Sequence, residues 1–151
     1  MGSTVQIASR RQHLIDVIRS NMGLPIRILV ADDFGPLRHA LCTILAKEPT
    51  LSVCGEAKSY YELFQKMIEL RPHIVLLDLK MPGVERFEPE FVKAQLCNVF
   101  LLAMSVSNDE DTADRAQSYG AIRFLNKCSL ASTLLPAIEE CMGQKGMSQP
   151  A

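Results

Sequence analysis

The chain has 151 residues, 48% apolar and 22% charged, with a net charge of -1. That length holds one domain with its own core and no need of disulfides or a structural metal, and the apolar content excludes a disordered chain. A charge so near zero leaves no electrostatic footprint for nucleic acid, and no apolar run reaches the roughly 18 residues of a membrane span, so neither DNA nor a membrane is an expected partner. Residues 1–25 read as an extension. Leu14, Ile15, Ile18 and Met22 stand at helical spacing behind a Ser9/Gln12 capping box, and Gly23 and Pro25 stop the pattern, which predicts an extra helix over about residues 10–22. Arg10, Arg11, His13 and Arg19 form its basic side, read first as a solvated helix face, with a contact face for an acidic partner or a membrane as the alternative. No signal-peptide pattern opens the chain, and five cysteines, at 42, 54, 97, 128 and 141, lack any CxxC pair. Both features lead us to expect a cytoplasmic protein with reduced core thiols.

From Ile26 onward apolar β-branched runs alternate with amphipathic segments. The runs are IRILVA (26–31), LSVCGEA (51–57), HIVLLDL (73–79), NVFLLAMS (98–105) and AIRFL (121–125). Strands separated by helices pair in parallel through crossovers, so an α/β sandwich with helices on both faces is expected. Leu37, Ala40, Leu41, Ile44 and Leu45 stripe the first intervening helix. Ser59 and Glu62 cap the second, which Pro72 stops. The third, around Phe91, Val92, Gln95 and Leu96, is short or irregular. The fourth, over 109–118, holds its place only through Ala113, Ala116 and Tyr119. The last carries Leu130, Leu134, Leu135, Ile138 and Met142, interrupted by Pro136.

In open parallel sheets ligands bind beyond the carboxyl ends of the strands. There the first strand ends in Asp32 and Asp33, the third in Asp78, the fourth in Ser105 and the fifth in Asn126 and Lys127. Singly, Asp33 reads as a helix N-cap, Ser105 as a loop hydroxyl and Lys127 as a surface residue. Together, three acids at one edge repel one another unless a cation offsets them. Such a set suits phosphoryl transfer: carboxylates for Mg2+ (or Mn2+), a lysine and a hydroxyl for the phosphoryl oxygens, and one aspartate as nucleophile. Asp78, on the most apolar strand, is the best-placed nucleophile.

This constellation resembles the receiver domain of two-component response regulators: Asp32-Asp33 after ILVA, Asp78 in LLDLKMPG, Ser105 closing FLLAMS and Lys127 in FLNK. GEAKSYYEL, RPHIVLLDLKMPG and LLPAI are similar to receivers that precede a helix-turn-helix output domain. The resemblance implies a flavodoxin-like doubly wound sheet of five parallel strands, order 2-1-3-4-5, with five helices. It implies Asp78 as phosphoacceptor from a sensor histidine kinase, a phosphotransfer protein or a small phosphodonor. Asp33, Asp78 and the backbone carbonyl of Lys80 would hold Mg2+, with Asp32 acting mainly through water. Ser105 and Lys127 would meet the phosphoryl oxygens, and Ser105 and Phe124 would form the switch. The fourth helix, fifth strand and fifth helix would then face a downstream protein partner, and a second copy of the chain is a further candidate partner.

The expected divisions are an N-terminal helical extension (1–25), a receiver (26–143) and a disordered tail (144–151). Two departures from the family pattern stand out. VERFEPEFVKAQ lacks the usual Asp-Gly after Pro82-Gly83 and is short by two or three residues, and Val106 stands where a smaller residue is common. The rivals are a receiver-like module that turns over no phosphate and a metal-dependent aspartyl phosphatase. The latter needs an acid two residues after its nucleophile, where this chain has Lys80. The expectation is thus a signalling module rather than an enzyme.

Overall fold

The structure, a computed structural model, describes residues 23–143. The expected N-terminal helix over residues 10–22 and the tail over 144–151 lie outside the described residues. The strands are β1 (Ile26–Ala31), β2 (Leu51–Ala57), β3 (Ile74–Asp78), β4 (Phe100–Ser105) and β5 (Arg123–Asn126). Between and after them run α1 (Gly35–Ala46), α2 (Tyr60–Leu70), α3 (Pro89–Gln95), α4 (Glu110–Ser118) and α5 (Leu130–Cys141). The strands pair in parallel in the order β2-β1-β3-β4-β5, so the expected doubly wound fold is the one found.

Alternation along each strand divides the core into two layers. Ile28 and Val30 of β1 point to one face with Leu41 and Leu45 of α1 and Leu134 and Ile138 of α5. Leu29 and Ala31 point to the other, with Tyr60 and Leu63 of α2, Val92 of α3, and Ala116 of α4 with Tyr119 just beyond it. Every residue of β3 is buried, as a central strand covered on both sides must be. Gly55 of β2 sits in a tight place: a Cβ there would stand 2.5 Å from Leu70 Cδ1, so the leucine side chain of α2 would have to shift.

Local signals explain the helix ends. Ser59 Oγ accepts from the Glu62 amide at 3.2 Å, and Glu62 Oε2 accepts from the Lys58 amide at 2.8 Å, a capping box whose return bond reaches one residue further out. α2 closes at Arg71, whose φ of 47° is left-handed; the following Pro72 disfavours the right-handed region there. Asp109 caps α4 by accepting from the Thr112 amide at 2.8 Å. α5 runs through Pro136 without ending.

Three expectations need correction. The buried line of α4 is Thr112, Ala116 and Tyr119 at i, i+4 and i+7, and Ala113 is exposed, one position off that line. Asp33 does not cap α1; Phe34 holds the N-cap position without a side-chain bond. Of the cysteines only Cys141 is buried, while Cys128 is exposed and the other three are half-buried.

The atypical segment after Gly83 forms a 3-10 turn (Val84–Arg86) and the seven-residue α3. Aromatic packing docks it. Phe87 meets Phe64 edge-on at 5.1 Å and stacks on Phe91 at 5.5 Å, while Phe64 also touches Tyr60 at 6.1 Å. Tyr60, fully buried, donates its hydroxyl to the Leu79 carbonyl at 3.2 Å, which ties this cluster to the end of β3.

Candidate functional site

The parallel sheet brings the strand-end residues to one edge. β1 continues into Asp32, whose amide donates to the Ala57 carbonyl at 3.0 Å, extending the β1–β2 ladder by one residue. Its side chain turns inward, 0% exposed, and Oδ1 accepts from the Phe34 amide at 2.8 Å. Asp78 closes β3, 4% exposed, with Oδ1 accepting from the Lys80 amide at 3.0 Å. Lys127, in the turn after β5, lays its ammonium between the two carboxylates, 2.7 Å from Asp32 Oδ2 and 3.1 Å from Asp78 Oδ2. Its side chain is 12% exposed, so the pairs lie largely out of water. Asp32 Oδ2 makes no aligned hydrogen bond within the structure, and we read its approach to Lys127 as an ion pair.

Burial sets the electrostatics of this edge. It raises Asp78 above the ordinary carboxylate value; the Lys80 amide and the Lys127 charge pull it back, and the neighbouring Asp32 pushes it further up. Burial alone would lower Lys127, but its close pairing with the Asp32 carboxylate and the charge of Asp78 outweigh it and the net shift is upward. The lysine is therefore held as a cation.

Asp33 is exposed, yet one carboxylate oxygen each from Asp32, Asp33 and Asp78 lie within 4.8 Å of one another. Three carboxylates face one ammonium, a deficit of positive charge that a divalent cation with oxygen ligands would fill. The under-satisfied Oδ2 of Asp32 supports that fit.

Ser105 is buried at the end of β4, one residue past the Asp78–Met104 pairing, and its Oγ accepts from the Ser107 amide at 3.2 Å. Val106, next along, is 63% exposed beside it. Phe124 pairs with Ala103 across β4 and β5 and is half-buried against the same layer that holds Ala116 and Tyr119. Lys80 is placed by its amide; its own side chain is exposed. All the residues expected at the site, Phe124 apart, thus come to the carboxyl edge, and Phe124 lies beneath it on β5.

The sequence profile of the response regulator receiver domain matches residues 28–139, well over half of the chain. The chain belongs to the response regulator receiver family. This receiver is 33% identical over 110 residues to a protein-glutamate methylesterase/protein-glutamine glutaminase of Pyrococcus horikoshii, covering 72% of this chain and 30% of that protein. It is 31% identical over 115 residues to the response regulator GacA of Pseudomonas protegens, covering 75% and 54%. Among solved structures, the response regulator domain of Thermotoga maritima CheB superposes with a TM-score of 0.68 at 26% identity, covering 79% of this chain and 97% of that one. The receiver spans less than two thirds of either relative, so the esterase and glutaminase activities in the first one's name are said of that protein alone. Among the described residues no helix is long and apolar enough to cross a membrane.

The sequence reading missed one set of groups at this edge. Arg38, in the first turns of α1, donates from Nη1 to the Asp32 carbonyl and from Nε to Glu56 Oε1, both at 2.8 Å. The available signal was its position: a side chain near a helix N-terminus leans back over the preceding loop, here the loop carrying the acids.

Proposed function

We propose that this receiver accepts a phosphoryl group on Asp78 and, so modified, changes its affinity for a partner protein. The observation that carries the reading is the buried Asp78 carboxylate, fixed at one oxygen by the Lys80 amide and paired at the other with Lys127. Asp78 Oδ would attack the phosphorus of a phosphohistidine on a sensor kinase or phosphotransfer protein, or of a small phosphodonor. A P–N or P–O bond breaks, an acyl phosphate forms, and the leaving group carries off the electron pair.

Asp33 and Asp78, with Asp32 behind them, would hold Mg2+, as would the Lys80 carbonyl. A bound Mg2+ would neutralise charge on the phosphoryl oxygens. Lys127 would stay protonated and move its contact from the Asp78 carboxylate to a phosphoryl oxygen, keeping Asp32 as its second partner. Ser105, one residue beyond the strand pairing, would supply a hydroxyl to another oxygen. Its shift would vacate room on the face it shares with Phe124, letting the ring turn inward and altering the α4–β5–α5 surface that a partner protein reads. The receiver unit would run over residues 26–143.

Incubation with acetyl phosphate or phosphoramidate, with and without Mg2+, followed by intact mass, tests the reading. A gain of one phosphoryl group that requires Mg2+ is expected. No gain from any donor would favour a receiver-like module that turns over no phosphate.

A further inference from the structure

We infer that Arg38 and Glu56 form a positioning pair that sets the direction of Asp33 for a divalent cation; this rests on the reading of the acid cluster given above. Asp33 is the exposed member of that cluster, and no hydrogen bond to its carboxylate holds it among the described residues. Something else must keep it within reach of Asp32 and Asp78. The peptide unit joining Asp32 to Asp33 is planar, so the direction of the Asp32 carbonyl dictates where the Asp33 amide and Cα lie.

That carbonyl accepts from Arg38 Nη1 at 2.8 Å. It precedes the N-cap Phe34, so α1 offers it no intrahelical partner. The rest of Asp32 is already held, its amide by Ala57 and its side chain by Phe34 and Lys127. Arg38 thus supplies the constraint on the outgoing peptide plane that these bonds do not. The guanidinium is in turn fixed by Glu56, which accepts from Nε at 2.8 Å. Glu56 sits on β2 opposite Val30, and the Arg38 side chain is 13% exposed. A planar guanidinium bonded through two of its nitrogens to the residue just past β1 and to one on β2 has little freedom left. Lysine, with a point charge on a flexible stem, would not reproduce both bonds.

The test is Mg2+ affinity of the folded protein, by titration calorimetry well below the melting temperature. Groups that orient metal ligands typically contribute about 10–100-fold in affinity. Arg38→Met is expected to raise the Mg2+ Kd about ten-fold, Arg38→Lys to recover only part of it, and Glu56→Gln to raise it by a smaller factor. Because Glu56 acts through Arg38, adding Glu56→Gln to Arg38→Met should change nothing further. Ile138→Val, a destabilising change in α5, should leave the Kd alone, which separates positioning from loss of stability. Should Arg38→Met fail to fold, Glu56→Gln decides the matter by itself. An unchanged Kd in folded Arg38→Met, or in Glu56→Gln if that variant must decide, overturns the inference and leaves the site reading standing. A wild-type protein that binds no Mg2+ overturns both.

Discussion

Asp78 is both the most constrained residue of the site and a cost to the fold. Burial raises it above its ordinary value of 3.8. A carboxyl that binds its proton more tightly when folded contributes stability that is complete below the unfolded value and lost as the pH rises through the folded one. At neutral pH the ionised Asp78 therefore destabilises the metal-free protein. Asp78→Asn should melt a few degrees above wild type near pH 7, with the gap closing as the pH falls toward about 4. Thermal melts of both proteins across that range check this, and a lower-melting variant at pH 7 would count against it. Val106 has a different consequence. Exposed next to Ser105, its isopropyl group is expected to screen the approach to Asp78. Val106→Ala should gain and lose the phosphoryl group several-fold faster than wild type in time courses; equal rates would mean that the valine screens nothing.

Among the elements, α3 and α4 are the least securely held by pattern, and each is secured by something other than a stripe of aliphatics. The 84–95 segment departs from its family in sequence, yet Phe87 and Phe91 pin it to Phe64 and through it to Tyr60. Truncating Phe87 removes that stack, so Phe87→Ala should cost about 2 kcal/mol, below the roughly 3–5 kcal/mol of a fully buried aromatic truncation because the ring is only half-buried. Denaturant unfolding measures it, and a loss near zero would show the segment to be docked by other means. α4 depends on its cap. Asp109 is lowered to about 2, first by the Ser107 hydroxyl and then by Thr112. The cap's stabilisation is thus present above the ordinary 3.8 and fades as the pH falls through about 2. Asp109→Ala should speed amide exchange across α4 near neutral pH and make progressively less difference below about pH 4. A difference independent of pH would rule out the carboxylate as its source.

At the scale of the whole molecule, the strand order and the converging edge were legible because burial on both faces writes continuous apolar runs, and the polar residues ending those runs mark one side of the sheet. Asp32, Asp33, Asp78, Ser105 and Lys127 could be found that way. Arg38 was marked only by its place near the start of α1, and its partner Glu56 not at all, since a contact between residues 18 apart on a helix and a strand leaves no periodic trace. The line of α4 was misread for a related reason: alanine is small enough to face either way, and only packing shows that Thr112 is the buried one. Asp33 matched the composition of a helix cap, but the cluster claims it and Phe34 takes the cap position. The layout as a whole sets one aspartate on a rigid central strand, two on a neighbouring loop and a lysine across the sheet, so one carboxylate should receive the phosphoryl group and the others should not. Reduction of the phosphorylated protein with borohydride, followed by peptide mapping, locates that carboxylate directly, because an acyl phosphate is reduced to an alcohol where it stood. Homoserine at position 78 with unmodified aspartate at 32 and 33 is the expected result; reduction at either of those positions, with Asp78 intact, would contradict Asp78 as the phosphoacceptor.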